Sequence, residues 1–136
     1  MTVYLDTSAA AKRLVGEVES DALAEYLDHL DADGQPASSM LLEAELRRFA
    51  MRLDLPQTAV SDLLDRIDLV EPDRSLFAEA GLLPGPTLRS LDALHLATAL
   101  RIDASVVVAY DHRLQQAARA VGLATIAPGQ VPNPSK

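Results

Sequence analysis

An α/β domain with a helix-flanked parallel sheet is predicted by three features of this 136-residue chain. Strand-like segments alternate with helical patterns, which favours a parallel sheet covered by helices. Ser105-Val106-Val107-Val108-Ala109 is a short, continuously apolar run of the kind found in strands buried on both faces. The length fits one domain, and with 49% apolar residues the chain needs no disulfide, structural metal or lipid to fold.

The elements follow in order. Thr2-Val3-Tyr4-Leu5 is β-branched and aromatic, a first central strand running into Asp6. Ser20 is placed to cap a helix in which Leu23, Tyr26, Leu27 and Leu30 recur at three- and four-residue spacing, and Asp31 to Pro36 breaks it. Ala37-Ser38 is a short strand candidate. Ser39 can cap a helix whose apolar stripe is Leu42, Leu46, Phe49 and Leu53, with Arg47, Arg48 and Arg52 mostly off it. Pro56 stands where the next helix begins, carrying Val60, Leu63, Leu64 and Ile67. Leu69-Val70 is another short strand, Ser75 to Ala80 a short helix, and Gly81 to Pro86 a loop. Leu91 to Ile102 is apolar on nearly every side and predicts a mostly buried helix. The Val106 to Ala109 strand follows, then a helix over Arg113 to Val121 stopped by Gly122, and a last strand at Ala124-Thr125-Ile126. The reading is one domain over residues 1–127 and a Pro-, Gly- and Asn-rich tail over 128–136.

Composition excludes several functions. With no cysteine, thiol catalysis, zinc-thiolate fingers and iron–sulfur clusters are ruled out, and the chain suits a reducing cytoplasm. No tryptophan and 4% aromatics argue against a stacking platform for single-stranded nucleic acid. Twelve basic against twenty acidic residues give a net charge of −8, the wrong sign for holding a polyanion by counterion release alone. No basic start followed by an apolar stretch marks export, and the longest apolar runs fall far short of the ~20 residues that span a bilayer.

The acids are more informative. Asp6 and Asp111 each follow a predicted central strand, at the sheet edge where ligands bind in open parallel sheets. Each also precedes a helical segment, so helix capping is the plain alternative for both. Asp92 lies in the first turn of an otherwise apolar helix, where an unpaired carboxylate costs several kcal/mol to desolvate and calls for a cation or water. His95, one turn on, reads as a hydrogen-bonded core histidine rather than a metal ligand, because no other histidines accompany it. Either Glu43 or Glu45 can supply a fourth acid, and periodicity leans to Glu45; pairing with Arg47, Arg48 or Arg52 is the surface alternative. Carboxylates converging in one crevice need a counter-charge, and hard oxygen donors suit Mg²⁺ or Mn²⁺ over Zn²⁺. Such an ion would also admit a phosphodiester.

Four segments resemble the PIN-domain ribonucleases, and among them the VapC-type toxins of toxin–antitoxin pairs. They are Val3-Tyr4-Leu5-Asp6-Thr7-Ser8-Ala9, Ser39 through Leu46, Leu88 through Ala99 with its Asp-Ala-Leu-His-Leu-Ala-Thr-Ala core, and Val107 through Leu114. They occur in family order across nearly the whole chain. The resemblance implies an α/β/α sandwich and an acidic metal site of Asp6, Glu45, Asp92 and Asp111, with Glu43 as the fallback. It implies that Thr7 or Ser8 steadies the first aspartate or a metal-bound water. It further implies cleavage of RNA, a homodimer and a cognate antitoxin partner. Arg47, Arg48, Arg52, Arg89 and Arg113 are candidate RNA-phosphate contacts, since guanidinium groups bind phosphate bidentately; surface ion pairing is the alternative for each. His112 is a possible substrate contact or an exposed helix-start residue.

Two other readings compete. A haloacid-dehalogenase-like phosphatase also has an Asp after its first strand, but needs a second Asp where Ser8 stands and a nearby lysine, and only Lys12 and Lys136 exist. A receiver-type phosphoacceptor lacks the same lysine. An inactive PIN-like module that docks a protein partner is the reading from another class. Which RNA is cut is not written in a readable motif.

Overall fold

A computed structural model describes residues 1–30 and 34–131. In chain order the elements are β1 (Val3–Leu5), α1 (Thr7–Ala11), α2 (Ser20–Asp28), β2 (Ala37–Ser39), α3 (Leu41–Leu53), α4 (Gln57–Leu64), β3 (Asp68–Val70), α5 (Arg74–Gly81), α6 (Ser90–Arg101), β4 (Val106–Val108), α7 (His112–Ala120) and β5 (Thr125–Ile126). The five strands form one parallel sheet in the order β3-β2-β1-β4-β5. The α/β/α sandwich is therefore the observed architecture.

Alternation of side chains along the short strands builds two cores. Val3, Leu5, Val106 and Val108 face one side, where they meet Ala9, Leu23, Leu42, Leu46 and Val60 from the first four helices. Tyr4 and Val107 face the other, against Leu96 and Ala99 of α6 and Leu114 and Ala118 of α7. Because both faces are covered, the strand run is apolar throughout instead of alternating with polar residues. A third cluster, Leu76 and Ala80 with Ala93, Leu94 and Ala97, seats α5 on α6. Leu42 is fully buried in the first core. Leu42→Ala is expected to destabilise the protein by about 2–5 kcal/mol, read from urea unfolding.

Three local readings are corrected. Ser20 does not cap α2: its hydroxyl accepts from Glu17 N and donates to the Lys12 and Val15 carbonyls, tying down the loop after α1. The stripe of α3 is Leu42, Leu46 and Ala50, whereas Leu53, the last residue of the helix, is 51% exposed. The short helix starts earlier, at Arg74, because Asp73 caps it through Leu76 N. Ser39 ends β2, yet its Oγ still accepts from Leu41 N at the start of α3. Gly122, at φ +90°, ends α7 in the left-handed conformation that favours glycine. The break read at Asp31 to Pro36 and the proposed tail lie partly outside the described residues. Within the tail, Pro128 O accepts from the Tyr110 hydroxyl and Gln130 bonds Gln115 and Tyr110.

Strand order places the site. From β1 the chain builds outward to β2 and β3, then returns to add β4 and β5 on the opposite edge. Neighbouring connections diverge at such a reversal, leaving a crevice beyond the carboxyl ends of β1 and β4.

Candidate active site

Asp6 leaves the end of β1 with its backbone N–H donating to Val108 O, so it is fixed to the β4 edge of the crevice. It is 5% exposed, and its Oδ2 accepts from both Ser8 N and Ser8 Oγ, at 3.1 and 2.7 Å. Ser8 Oγ in turn accepts from Tyr110 N at 3.0 Å, which locks the ends of β1 and β4 together. Asp111 caps α7: its Oδ1 accepts from Arg113 N at 2.8 Å and Leu114 N at 3.4 Å. Both strand-end aspartates are thus helix caps as well as rim acids. Capping engages a single oxygen of each, leaving Asp6 Oδ1 and Asp111 Oδ2 without a hydrogen bond among the described residues. No buried side-chain oxygen or nitrogen described lacks a partner, so Asp6 Oδ1 reaches the surface of the crevice.

Between the two glutamates the structure distinguishes clearly. Glu43 is paired with Arg47 at 3.0 Å along the outer face of α3. Glu45 Oε1 accepts from Thr7 Oγ1 at 2.9 Å and lies 2.7 Å from His95 Nε2. A carboxylate only accepts, so Nε2 carries the hydrogen and donates. On the other side of the ring, His95 Nδ1 is 2.6 Å from the Tyr4 hydroxyl, and the two rings meet edge-on. A chain Tyr4–His95–Glu45–Thr7 therefore runs from the second core to the crevice. His95 is 1% exposed. Burial opposes its imidazolium, but the Glu45 carboxylate, with Asp6 and Asp92, more than offsets this and raises its pKa. Burial pushes the Tyr4 hydroxyl well above the usual tyrosine value, so it stays protonated. The core-histidine reading of His95 is correct as to burial, but its bond to Glu45 was not legible in sequence.

Asp92, half-buried in the first turn of α6, accepts no hydrogen bond from any described residue. Its pKa is raised, first by desolvation and then by the negative charges of Asp6, Asp111 and Glu45, with His95 acting in the opposite direction. The four acids thus share one electrostatic neighbourhood. As placed, no three Asp, Glu or His side chains among the described residues form a group that could hold a metal ion. Asp6, Asp111 and Glu45 each turn one oxygen to a protein donor. The uncommitted set is Asp6 Oδ1, Glu45 Oε2, Asp111 Oδ2 and both oxygens of Asp92, all hard donors that suit a divalent cation of the Mg²⁺ or Mn²⁺ type.

Arg47 is withdrawn from the substrate contacts, because it pairs with Glu43 within α3 and clamps α3 to α4 through Gln57 and Ser61. Arg48, Arg52, Arg89 and Arg113 have no ion pair or side-chain hydrogen bond among the described residues. Arg48 and Arg52 line a hollow of about 450 Å³ that also includes Thr7, Glu45, Leu41, Phe49 and Leu91. Arg89 and Arg113 line another, beside Asp92. The acids are therefore flanked by an arginine pair on each side, although the chain as a whole is acidic. A further hollow of about 450 Å³, between α5 and the start of α6, is lined by Phe77, Leu83, Pro86 and Leu94 among others and has no ionisable group. It lacks the chemistry of a catalytic site. Lys12 is bonded to Glu17 and Glu19, and Ser8 occupies the position of the second aspartate, so the phosphatase reading has neither group it needs.

Comparison with known proteins gives an independent result. The family model described as PIN domain matches residues 3–120. The chain is 45% identical over 134 residues to "Ribonuclease VapC35" of Mycobacterium tuberculosis, covering 94% of this chain and 98% of that protein. Among solved structures, it is similar to Mycobacterium tuberculosis VapC20, a sarcin–ricin-loop-cleaving toxin, with a TM-score of 0.74, 16% identity and coverage of 93% and 99% of the two chains. It is also similar to VapBC2 from Rickettsia felis bound to a promoter DNA fragment, with a TM-score of 0.75, 17% identity and coverage of 94% and 99%.

Proposed function

The chain belongs to the PIN-domain family, and on that premise we propose that it is a divalent-metal-dependent endoribonuclease acting as the toxin of a toxin–antitoxin pair. Near-complete coverage at 45% identity to a ribonuclease supports the substrate class. The observation that carries the metal requirement is Asp92, a half-buried carboxylate without a hydrogen-bond donor among the described residues, beside three like charges that raise its pKa. Asp6, Glu45, Asp92 and Asp111 are the residues proposed to hold Mg²⁺ or Mn²⁺. When bound, the ion neutralises charge on the scissile phosphate and lowers the pKa of water that attacks it.

The remaining groups position the acids. Ser8 holds Asp6 by one oxygen, so the other is aimed into the crevice without rotamer freedom. Thr7 and His95 do the same for Glu45, and the first turn of α7 for Asp111. Preorganisation of this kind avoids reorganising the acids during the reaction. Arg48, Arg89 and Arg113 are proposed to attract RNA phosphates on either side, compensating for the acidic chain. The full acidic set supports catalysis over an inactive docking module.

The VapBC2 structure supports a protein antitoxin as the partner. The hollow beside Glu45, apolar at Leu41, Ala44, Phe49 and Leu91, is a suitable seat for a segment reaching the acids. A homodimer and a cytoplasmic location complete the proposal; among the described residues, no helix is long and apolar enough to cross a membrane.

The test is to incubate purified protein with mixed RNA in Mn²⁺ or Mg²⁺, with an EDTA control, and to map the new ends. Internal cuts bearing 5′-phosphates and suppressed by EDTA are expected. Intact RNA under all conditions, from folded protein freed of any partner, would remove the nuclease reading.

A further inference from the structure

We propose that the C-terminal turn over residues 127–130 is a buckle for the acidic site, with Gln130 as a positioning residue that, by holding the Tyr110 carbonyl, sets where Asp6 and Asp111 stand for a divalent cation. This rests on the metal-dependent reading above and adds to the site a segment that the sequence offers only as a loop-rich tail. The residues between β4 and α7 lie beyond the end of the strand, so their backbone groups need partners from elsewhere. Each comes from a different element. Ala109 N donates to Ile126 O at 3.1 Å, and Ala109 O accepts from Gln115 Nε2 at 2.7 Å. Tyr110 N donates to Ser8 Oγ at 3.0 Å, and Tyr110 O accepts from Gln130 Nε2 at 2.8 Å. Asp111 is the next residue, and Ser8 is the donor that holds Asp6. Tyr110 therefore joins two of the four acids, and Gln130 fixes it through its other backbone group.

An amide suits this task because it donates and accepts at once. Gln130 Oε1 accepts from Gln115 Nε2 at 2.9 Å while its Nε2 donates to Tyr110 O, so one side chain ties α7 to the strand end. Tyr110 is 9% exposed and Gln115 6%, so these bonds lie where water competes little. The turn itself is held in three further ways. Gln130 N closes it by donating to Ala127 O at 2.9 Å, and the Tyr110 hydroxyl donates to Pro128 O at 2.8 Å. Gly129, at φ +81°, lies so close to α2 that a Cβ there would come within 2.9 Å of Ala22 Cβ. On the Tyr110 ring, Lys12 Nζ stands 4.7 Å from the centroid. The turn is thus clipped to α2 on one side and to the Asp6–Asp111 junction on the other.

The test compares wild type with Gln130→Ala, which removes the amide, and Gly129→Ala, which lifts the turn off α2. Val60→Ala, a core change on α4, which carries none of the acids, controls for destabilisation alone. In metal-free protein, hydrogen exchange followed by NMR is expected to show the Ser8 and Tyr110 amides losing about tenfold protection in both turn variants, with the α3 amides unchanged. Mn²⁺ binding, read by titration calorimetry, is expected to weaken about tenfold in both, the lower end of what groups orienting metal ligands contribute. Val60→Ala is expected to bind Mn²⁺ as wild type does. RNA cleavage by Gln130→Ala falls at low Mn²⁺ and returns with excess Mn²⁺, at an unchanged KM for RNA. Unchanged protection at Ser8 and Tyr110, unchanged Mn²⁺ affinity in Gln130→Ala, or an equal loss of affinity in Val60→Ala overturns the buckle. If wild type binds no Mn²⁺, the metal reading fails, and the exchange arm still decides whether the turn holds the Asp6–Asp111 junction in place.

Discussion

Asp92→Asn is expected to lower RNA cleavage by at least about 100-fold while raising the melting temperature of the metal-free protein. Both effects have one cause. In the fold, desolvation and the charges of Asp6, Asp111 and Glu45 raise the Asp92 pKa, so the ionised form is less welcome there than in the unfolded chain. For an acid whose folded pKa is raised, stability is lost as pH climbs from the unfolded value, about 3.9, through the higher folded one. At neutral pH the ionised side chain is therefore a destabilising element, which the proposed cation would relieve. Asparagine is of similar size and uncharged, so it removes the repulsion together with the proposed metal donor. Thermal melts in EDTA are expected to show the variant more stable at neutral pH, with the gap closing on acidification. Mn²⁺ should stabilise wild type and not the variant. Full cleavage activity in Asp92→Asn would refute its place in the site.

The second large effect concerns His95. His95→Leu leaves the buried Tyr4 hydroxyl without its 2.6 Å partner and removes a donor from Glu45. An unsatisfied buried group costs about 1–3 kcal/mol, and the packing change adds to it, so a loss of about 2–4 kcal/mol is expected from urea unfolding. Cleavage is expected to fall about 10–100-fold, the usual size for removing a group that orients a metal-binding side chain. Tyr4→Phe/His95→Leu separates the two consequences. With both polar partners replaced by apolar groups, much of the stability returns. Activity does not, because Glu45 still lacks its Nε2 donor. Recovery of both together would mean that His95 serves the core alone.

How much of this was legible depended on whether the information was local. Asp6 and Asp111 stood out because each follows a strand whose composition is apolar, and a strand's end in a parallel sheet is a defined place. Asp92 stood out because a carboxylate in an apolar helix demands an explanation. Glu45 could be preferred over Glu43 only weakly by helix angle; its contacts with Thr7 and His95, 38 and 50 residues away, are what set it apart in the fold. Arg47 looked no different in sequence from Arg48. Its engagement with Gln57 and Ser61 arises because α4 folds back on α3, which no local pattern encodes. Leu53 fitted the helical stripe but is exposed at the end of α3, because periodicity carries no information about what lies opposite a given turn.

The chain's own residues determined the alternating α/β plan, the two-sided burial of the central strands and the strand-end and helix positions of Asp6, Asp111 and Asp92, because these depend on composition and spacing within a few turns. Strand order β3-β2-β1-β4-β5, the Tyr4–His95–Glu45 chain and the placing beside the acids of arginines that have no ion pair among the described residues were decided only in three dimensions. Contacts between residues as far apart as Tyr4 and His95 follow from which strands pair and which helices cover them, and that choice is made by the whole core at once.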